Sequence, residues 1–357
     1  MKDSLKKRKI FMIIGGVIVL LSIAYIIYMG ISMNNNKVSL SDKSESDIKE
    51  NEDVTDEDVK QVFNVVDINS DSRPIAVMIN NLNAARPYHS GLQDAYIVYE
   101  MIVEGGITRM MALFKDKDTA RIGSVRSSRH YYLDYALEND AIYVHYGWSP
   151  QAQSDISSLG VNNINGLYDN AFWRDNTLNV DYEHTAFTSI SKIIDVAKKK
   201  NYSLKSKKDL LLNYSKDEID LSKIDGNISA NSVDIKYSNY VKTSYIYNPK
   251  EKVYYRSVND KPHNDYVTKK QYFAKNIIIA YMDSSSISND SKGRQNLDNI
   301  GSGNGYYITD GKAVPITWTK TSRKEQTIYK YKNGEEIVVN DGNTFIQNAP
   351  LKSAVIK

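Results

Sequence analysis

The sequence predicts an α+β protein: a mixed α/β domain over residues 72–200, a β-rich domain over 233–350, and a single transmembrane helix ahead of both. Three observations predict it. Ile10–Ile31 contains no charged residue, and at a rise of ~1.5 Å per residue it is long enough to cross a bilayer. In the first half, apolar β-branched runs alternate with helical patterns. In the second half, strand patterns follow one another with turn chemistry between them. At 357 residues the chain has room for two domains plus non-globular parts.

Taken in order, residues 1–9 form a basic flank with Lys2, Lys6, Lys7, Arg8 and Lys9. No basic cluster follows residue 31, so the positive-inside rule puts the N-terminus in the cytoplasm and the globular part outside a cell membrane crossed once. The apolar run is longer than a signal-peptide core and lacks a small-x-small cleavage site. Residues 32–71 read as an acidic tether; between Met33 and Lys60 there are nine acidic and four basic residues with few apolar ones. Pro74–Asn80 is a strand, and a polar loop with Arg86-Pro87 follows. Tyr96–Phe114 is a hairpin around Gly105-Gly106. Ser128–Glu138 is helical, with Tyr132, Tyr135 and Ala136 as its stripe, and Ala141–Tyr146 is a strand. Ser149-Pro150 caps a helix over Gln151–Leu159, and Phe187–Lys200 is another, capped by Thr188 or Ser189. Residues 201–232 connect to the second domain. Its strands are Val233–Ser238, Lys242–Asn248, Lys252–Val258, Asn276–Met282, Gly305–Thr309, Ala313–Trp318 and Gln326–Tyr331.

Composition excludes several classes. With no cysteine there is no disulfide, thiolate metal site, cysteine nucleophile or lipidated N-terminal cysteine. A net charge of +3 gives no case for nucleic acid. The histidines lack metal spacing, there is no P-loop, and no cofactor or metal is expected.

The segments RPIAVMINN, ARPYHSGL, DAYIVYEMIVEGGITRMMALF, RIGSVRSSRHYYLDYA, DAIYVHYGWSPQA and NGLYDNAFWRD resemble the N-terminal half of the YerB-type lipoprotein family, and GSGNGYYITDGKAVPITWTK resembles its C-terminal half. The resemblance spans most of residues 72–345. It implies a cell-envelope protein with a two-part domain of unknown function, and no reaction. The chain departs from that pattern in having no cysteine to acylate, and in showing Glu183-His184-Thr185 where the family tends to show Pro-His-Asn.

The candidate site begins at the hairpin. With Gly105-Gly106 as a two-residue loop, Ile102 faces Arg109, and Glu100, Glu104 and Arg109 share one face. Glu100 and Glu104 are the candidate acid/base residues, although positions i and i+4 on a strand lie about 13 Å apart. Paired glycosidase carboxylates need about 5–5.5 or 6.5–9.5 Å, so single-acid cleavage of the lytic transglycosylase kind fits better. Arg109 favours the ionised carboxylate. Arg126 and Arg129, at the start of a helix, are candidate anion ligands. His145, near a strand's carboxyl end, is a third catalytic candidate, and Trp148 beside it is a platform for a sugar face. Asn80 and Arg86 complete the substrate-binding set.

Two functions follow from these residues. One is an extracytoplasmic enzyme that cleaves or remodels peptidoglycan glycan strands with a glutamate as general acid/base. The other is a non-catalytic binding or scaffold protein for an anionic cell-wall polymer, a lipid-linked precursor or an envelope protein partner.

Overall fold

The computed structural model describes residues 65–357; residues 1–9, the apolar run Ile10–Ile31 and most of the tether lie outside the described residues. Strands account for 40% and helices for 15% of the structure, so the expected α+β class is corrected to mostly β. The strands that frame the site are β1 (Ile75–Asn80), β2 (Ile97–Ile102), β3 (Thr108–Phe114), β4 (Ile142–His145) and β5 (Asn163–Asn165) in the first half. The second half adds β6 (Ser232–Lys236), β7 (Lys242–Asn248), β8 (Val253–Val258), β9 (Asn276–Tyr281), β10 (Gly301–Thr309), β11 (Lys312–Lys320), β12 (Thr344–Ala349) and β13 (Ala354–Ile356). Three α-helices are described: α1 (His130–Glu138), α2 (Pro150–Leu159) and α3 (Ile190–Lys199).

One sheet runs through both halves in the order β11-β10-β9-β12-β2-β3-β1-β4-β5. The seam is β12, which pairs in parallel with β9 on one side and with β2 on the other, Ile97 opposite Thr344. Sequence pattern did not reveal β12, because TFIQNA is buried on both faces yet half polar. Of its polar side chains, Gln347 is tied across to the second sheet, with Tyr237 OH donating to its Oε1 at 3.1 Å. A second sheet, ordered β8-β7-β6-β13, packs over one face of the large one. Val77, Val98, Ala112, Ile277 and Phe345 meet Val233, Ile235, Tyr245 and Val258 there.

The helices form as their caps dictate. Ser149 Oγ accepts the Ala152 N–H at 3.2 Å with Pro150 at the first position, and Ser189 Oγ accepts the Lys192 N–H at 3.3 Å. Helix α3 starts later than its pattern predicts because Ala186–Thr188 is a strand. Its buried Ile190, Ile193 and Val196 each contribute about 1.5–3 kcal/mol of apolar burial. Helix α1 covers the opposite face of the large sheet, where Tyr131, Tyr132 and Tyr135 pack with Tyr99, Met101 and Met111.

No helix among the described residues is long and apolar enough to cross a membrane. The transmembrane helix expected at Ile10–Ile31 lies outside them and forms no part of the fold class.

Candidate functional site

The hairpin is built differently from its prediction. Val103 N–H donates to the Ile107 carbonyl at 2.8 Å, which leaves Glu104, Gly105 and Gly106 as a three-residue loop. Gly105 and Gly106 have φ of 68° and 70°, a left-handed pair that glycine adopts without steric cost. Ile102 therefore faces Thr108, and Met101 faces Arg109. A one-residue shift moves a whole strand's side chains to the other face. The expected common face is thus corrected: Glu100 points toward the second sheet, while Arg109 points toward α1.

On the α1 side, Glu104 is clasped by two guanidiniums. Arg109 Nη2 donates to Oε1 at 2.8 Å and Arg129 Nε to Oε2 at 2.9 Å, and Arg129 Nη2 also bonds Oε1. Burial alone pushes the Glu104 carboxyl up, but Arg109 and Arg129 outweigh it and hold the group down to about 2. Arg109 and Arg129 are themselves fixed by the Ser127 and Ser128 carbonyls, each at 2.7 Å.

Those carbonyls belong to a segment that fills a gap in the sheet. Parallel strands β1 and β4 pair only over Ile75–Val77 and Ile142–Val144. Beyond that point residues 124–128 enter between them. The Asn80 and Arg126 N–H groups donate to the Ser124 and Met78 carbonyls, and the Tyr146 and Ser128 N–H groups donate to the Arg126 and Gly147 carbonyls, all at 2.9–3.0 Å. The carboxyl ends of parallel strands commonly border a ligand crevice; here the chain's own backbone closes it and carries Arg126 and Arg129 to its mouth. Arg126 reaches Glu183 at 3.0 Å, and the neighbouring His184 Nδ1 bonds the Asn80 side chain at 2.7 Å.

His145 is buried, and its ring nitrogens meet the Gly147 carbonyl at 2.8 Å and the Asn163 side chain at 3.1 Å. Burial pushes its pKa down, and the neutral ring donates from one nitrogen to one of these two acceptors. Trp148 lies 5.6 Å from His145 and 5.8 Å from Tyr168, ring to ring. Tyr168 is 74% exposed and Leu167 52%; both leave the carboxyl end of β5, next to β4. Nearby, the Arg174 guanidinium sits 4.3 Å from the Tyr146 ring and 4.2 Å from the Tyr182 ring.

Glu100 lies in a separate, interior network. It is fully buried. Oε2 accepts from Arg256 Nη2 at 2.7 Å, and Oε1 accepts from Thr108 Oγ1 at 2.8 Å and Asn81 Nδ2 at 3.0 Å. Thr243 Oγ1 also contacts the carboxylate, at 3.2 Å. From Arg256 a directional chain continues: Nη1 donates to His263 Nδ1, His263 Nε2 donates to His89 Nδ1 at 2.8 Å, and His89 Nε2 donates to the Asn80 carbonyl. Burial pushes His89 down to about 3 and His263 well below its ordinary range, so both rings are neutral, as this chain of donors requires. Arg86 stands at the edge of this network, with only a 3.4 Å contact to the Asn81 carbonyl.

The structure therefore gathers Glu104, Arg109 and Arg129 at one point, with Arg126, Asn80, His145 and Trp148 arranged around the same closed crevice. Glu100 and Arg86 lie on the other side of the sheet. Sequence reading missed Arg256, His263 and His89. Arg256 carried a signal, since it falls between Tyr254 and Val258 on the inward face of a strand, the same anomaly that singles out Glu100. Among the described residues, no group of three or more His, Cys, Asp or Glu side chains is placed to hold a metal ion.

Residues 64–203 match the N-terminal domain, and residues 233–346 the C-terminal domain, of a family described as "Protein of unknown function (DUF3048)". The chain belongs to this family. A Bacillus subtilis (strain 168) member described as "Putative lipoprotein YerB" is 32% identical over 286 residues, 79% of this chain and 82% of the relative. The crystal structure of the Bacillus subtilis YerB protein matches with a TM-score of 0.70 at 31% identity, covering 80% of this chain and 94% of that one. The two family domains meet at the β2–β12 pair, inside one continuous sheet. The expected localisation, a single-pass membrane protein with a cytoplasmic N-terminus, is corrected on two findings. No described helix is long and apolar enough to span a bilayer, and the Bacillus subtilis relative is described as "Putative lipoprotein YerB".

Proposed function

We propose that this DUF3048 member is a non-catalytic binding protein of the cell envelope whose crevice mouth takes a glycan carrying anionic groups. One observation carries the reading. Exposed Tyr168, Leu167 and Tyr182 surround a mouth that also presents Arg126 and the ring-sandwiched Arg174. Aromatic faces suit the apolar faces of sugar rings, and guanidiniums suit carboxylate or phosphate substituents. The Arg126–Glu183 pair is partly exposed, so an incoming anion can replace Glu183 without opening the core.

The acids argue against glycan cleavage. Glu104 is ionised throughout the neutral range and has no proton to donate. Glu100 is sealed from solvent with both oxygens occupied. His145 is buried, with both ring nitrogens facing acceptors of its own chain.

Co-sedimentation of the full-length chain with isolated wall sacculi tests the proposal. Wild-type protein should pellet with the wall, and Trp148→Ala or Tyr168→Ala should weaken retention about tenfold, the loss of one stacking contact. Retention unchanged in both variants would remove the mouth from consideration.

A further inference from the structure

The interior network has an imbalance that the proposed function does not use. Arg86 and Arg256 are two guanidiniums that share one carboxylate, Glu100; both contribute electrostatically to Arg86, Arg256 as a like charge and Glu100 as the opposite one. The histidines between Arg256 and Asn80 are neutral and supply no further charge. Arg86 itself is half-buried. The one hydrogen bond of its side chain among the described residues is the long one to the Asn81 carbonyl, and no carboxylate forms an ion pair with it. A partly desolvated cation beside a like charge is costly unless something neutralises it.

Arg86 opens onto a cleft of 320 Å³ between the loop that follows β1 and the hairpin that follows β8. The cleft is also lined by Lys261, Lys269 and His263, with Tyr266 as one wall. Lys261 has no ion-pair partner among the described residues, and Lys269 rests 4.0 Å from the centre of the Tyr266 ring. Asp265 borders the same cleft, but its carboxylate is fully engaged. Oδ2 accepts from the Gly91 N–H at 2.7 Å and Tyr272 OH at 2.8 Å, and Oδ1 from the Val267 and Thr268 N–H groups at 2.8 Å. These bonds, with the Tyr266 N–H donating to the His89 carbonyl at 2.6 Å, tie the two walls together. The cleft is thus prebuilt rather than dependent on its occupant.

We infer that this cleft is a phosphate site: Arg86 offers its planar fork from the floor, and Lys261 and Lys269 close on the remaining oxygens from the rim. A carboxylate would be satisfied by Arg86 alone; three cations lining one cleft match the higher charge and additional oxygens of a phosphate group. The site is separate from the crevice mouth and does not depend on the glycan-binding reading.

The test is calorimetric titration of the full-length chain at constant ionic strength with inorganic phosphate, glucose 1-phosphate and a glycerol phosphodiester oligomer, using sodium chloride as reference. Saturable phosphate binding beyond the chloride response is expected, and Arg86→Gln should weaken it at least about tenfold, as should Lys261→Gln combined with Lys269→Gln. The lysines are exposed, so the double variant decides the matter should Arg86→Gln fail to fold. Preference for the monoester would identify a small soluble ligand and preference for the oligomer a polymer, and either result supports the site. Tyr168→Ala should leave phosphate binding intact, which separates this site from the mouth. A phosphate response no greater than chloride, or wild-type affinity in the folded variants, would overturn it.

Discussion

Glu100 and Glu104 are four residues apart in one hairpin, yet they occupy opposite faces of the sheet and opposite physical regimes. Glu100 sits in the dry layer between two sheets, its charge matched by Arg256 and its lone pairs by hydroxyl and amide donors. Glu104 sits at a loop, 22% exposed, between two guanidiniums that also brace backbone carbonyls. The difference teaches that a carboxylate in an apolar strand is weak evidence for chemistry. The inner one fixes how two sheets dock, and the outer one fixes how a loop seals a crevice.

The largest effect should come from the inner face. Glu100→Gln leaves the Arg256 charge buried without a counter-charge and should cost about 3–5 kcal/mol in urea unfolding. Glu104→Gln strands two guanidiniums nearer water and should cost less, about 2 kcal/mol. Equal costs would erase the distinction between the faces. Removing both inner charges, Glu100→Gln with Arg256→Met, should recover part of the loss, because no unpaired ion then remains.

Acid should separate the faces in the same way. His89 is held down to about 3 against an ordinary 6.5. The unfolded chain therefore binds more protons, and stability falls as pH drops from 6.5 toward 3. Glu104 is held at about 2 against 4.5; its contribution is complete above 4.5 and is lost as pH falls from there to 2. Unfolding midpoints between pH 7 and 3 should show that His89→Gln lessens the slope between 6.5 and 4.5, a window in which Glu104→Gln leaves the slope unchanged. The smallest stability effect belongs to the mouth: Tyr168→Ala should shift stability by less than about 0.5 kcal/mol, and circular-dichroism melting checks this.

Much of the fold was legible in residues with local consequences. Ser149-Pro150 and Ser189 mark helix starts because caps act within one turn, and Val253–Val258 alternates as a half-buried strand does. What escaped was non-local. The strand β12 reads as a polar segment because its partners Tyr96 and Tyr237 lie far away in sequence. The first half reads as mixed α/β on its own strands, whereas its sheet continues into the second half. The hairpin register turned on a single residue: Gly105-Gly106 suits a two-residue loop, but Val103 and Ile107 close a three-residue one, and Arg109 changes face. In the site, the clustering of Glu104 with Arg109 followed from proximity along the hairpin. The pairing of Glu100 with Arg256 needed the second sheet, and the excess charge at Arg86 could be recognised only once His89 and His263 were known to be neutral.

The most direct test of the central claim, binding without cleavage, is to incubate the full-length chain with isolated wall sacculi and analyse the soluble fraction by mass. The account predicts that the protein is retained on the wall and that no saccharide fragments appear beyond the protein-free control. Fragments with anhydro or reducing ends, released by wild type and absent with Glu104→Gln, would contradict it and return the hairpin to catalysis.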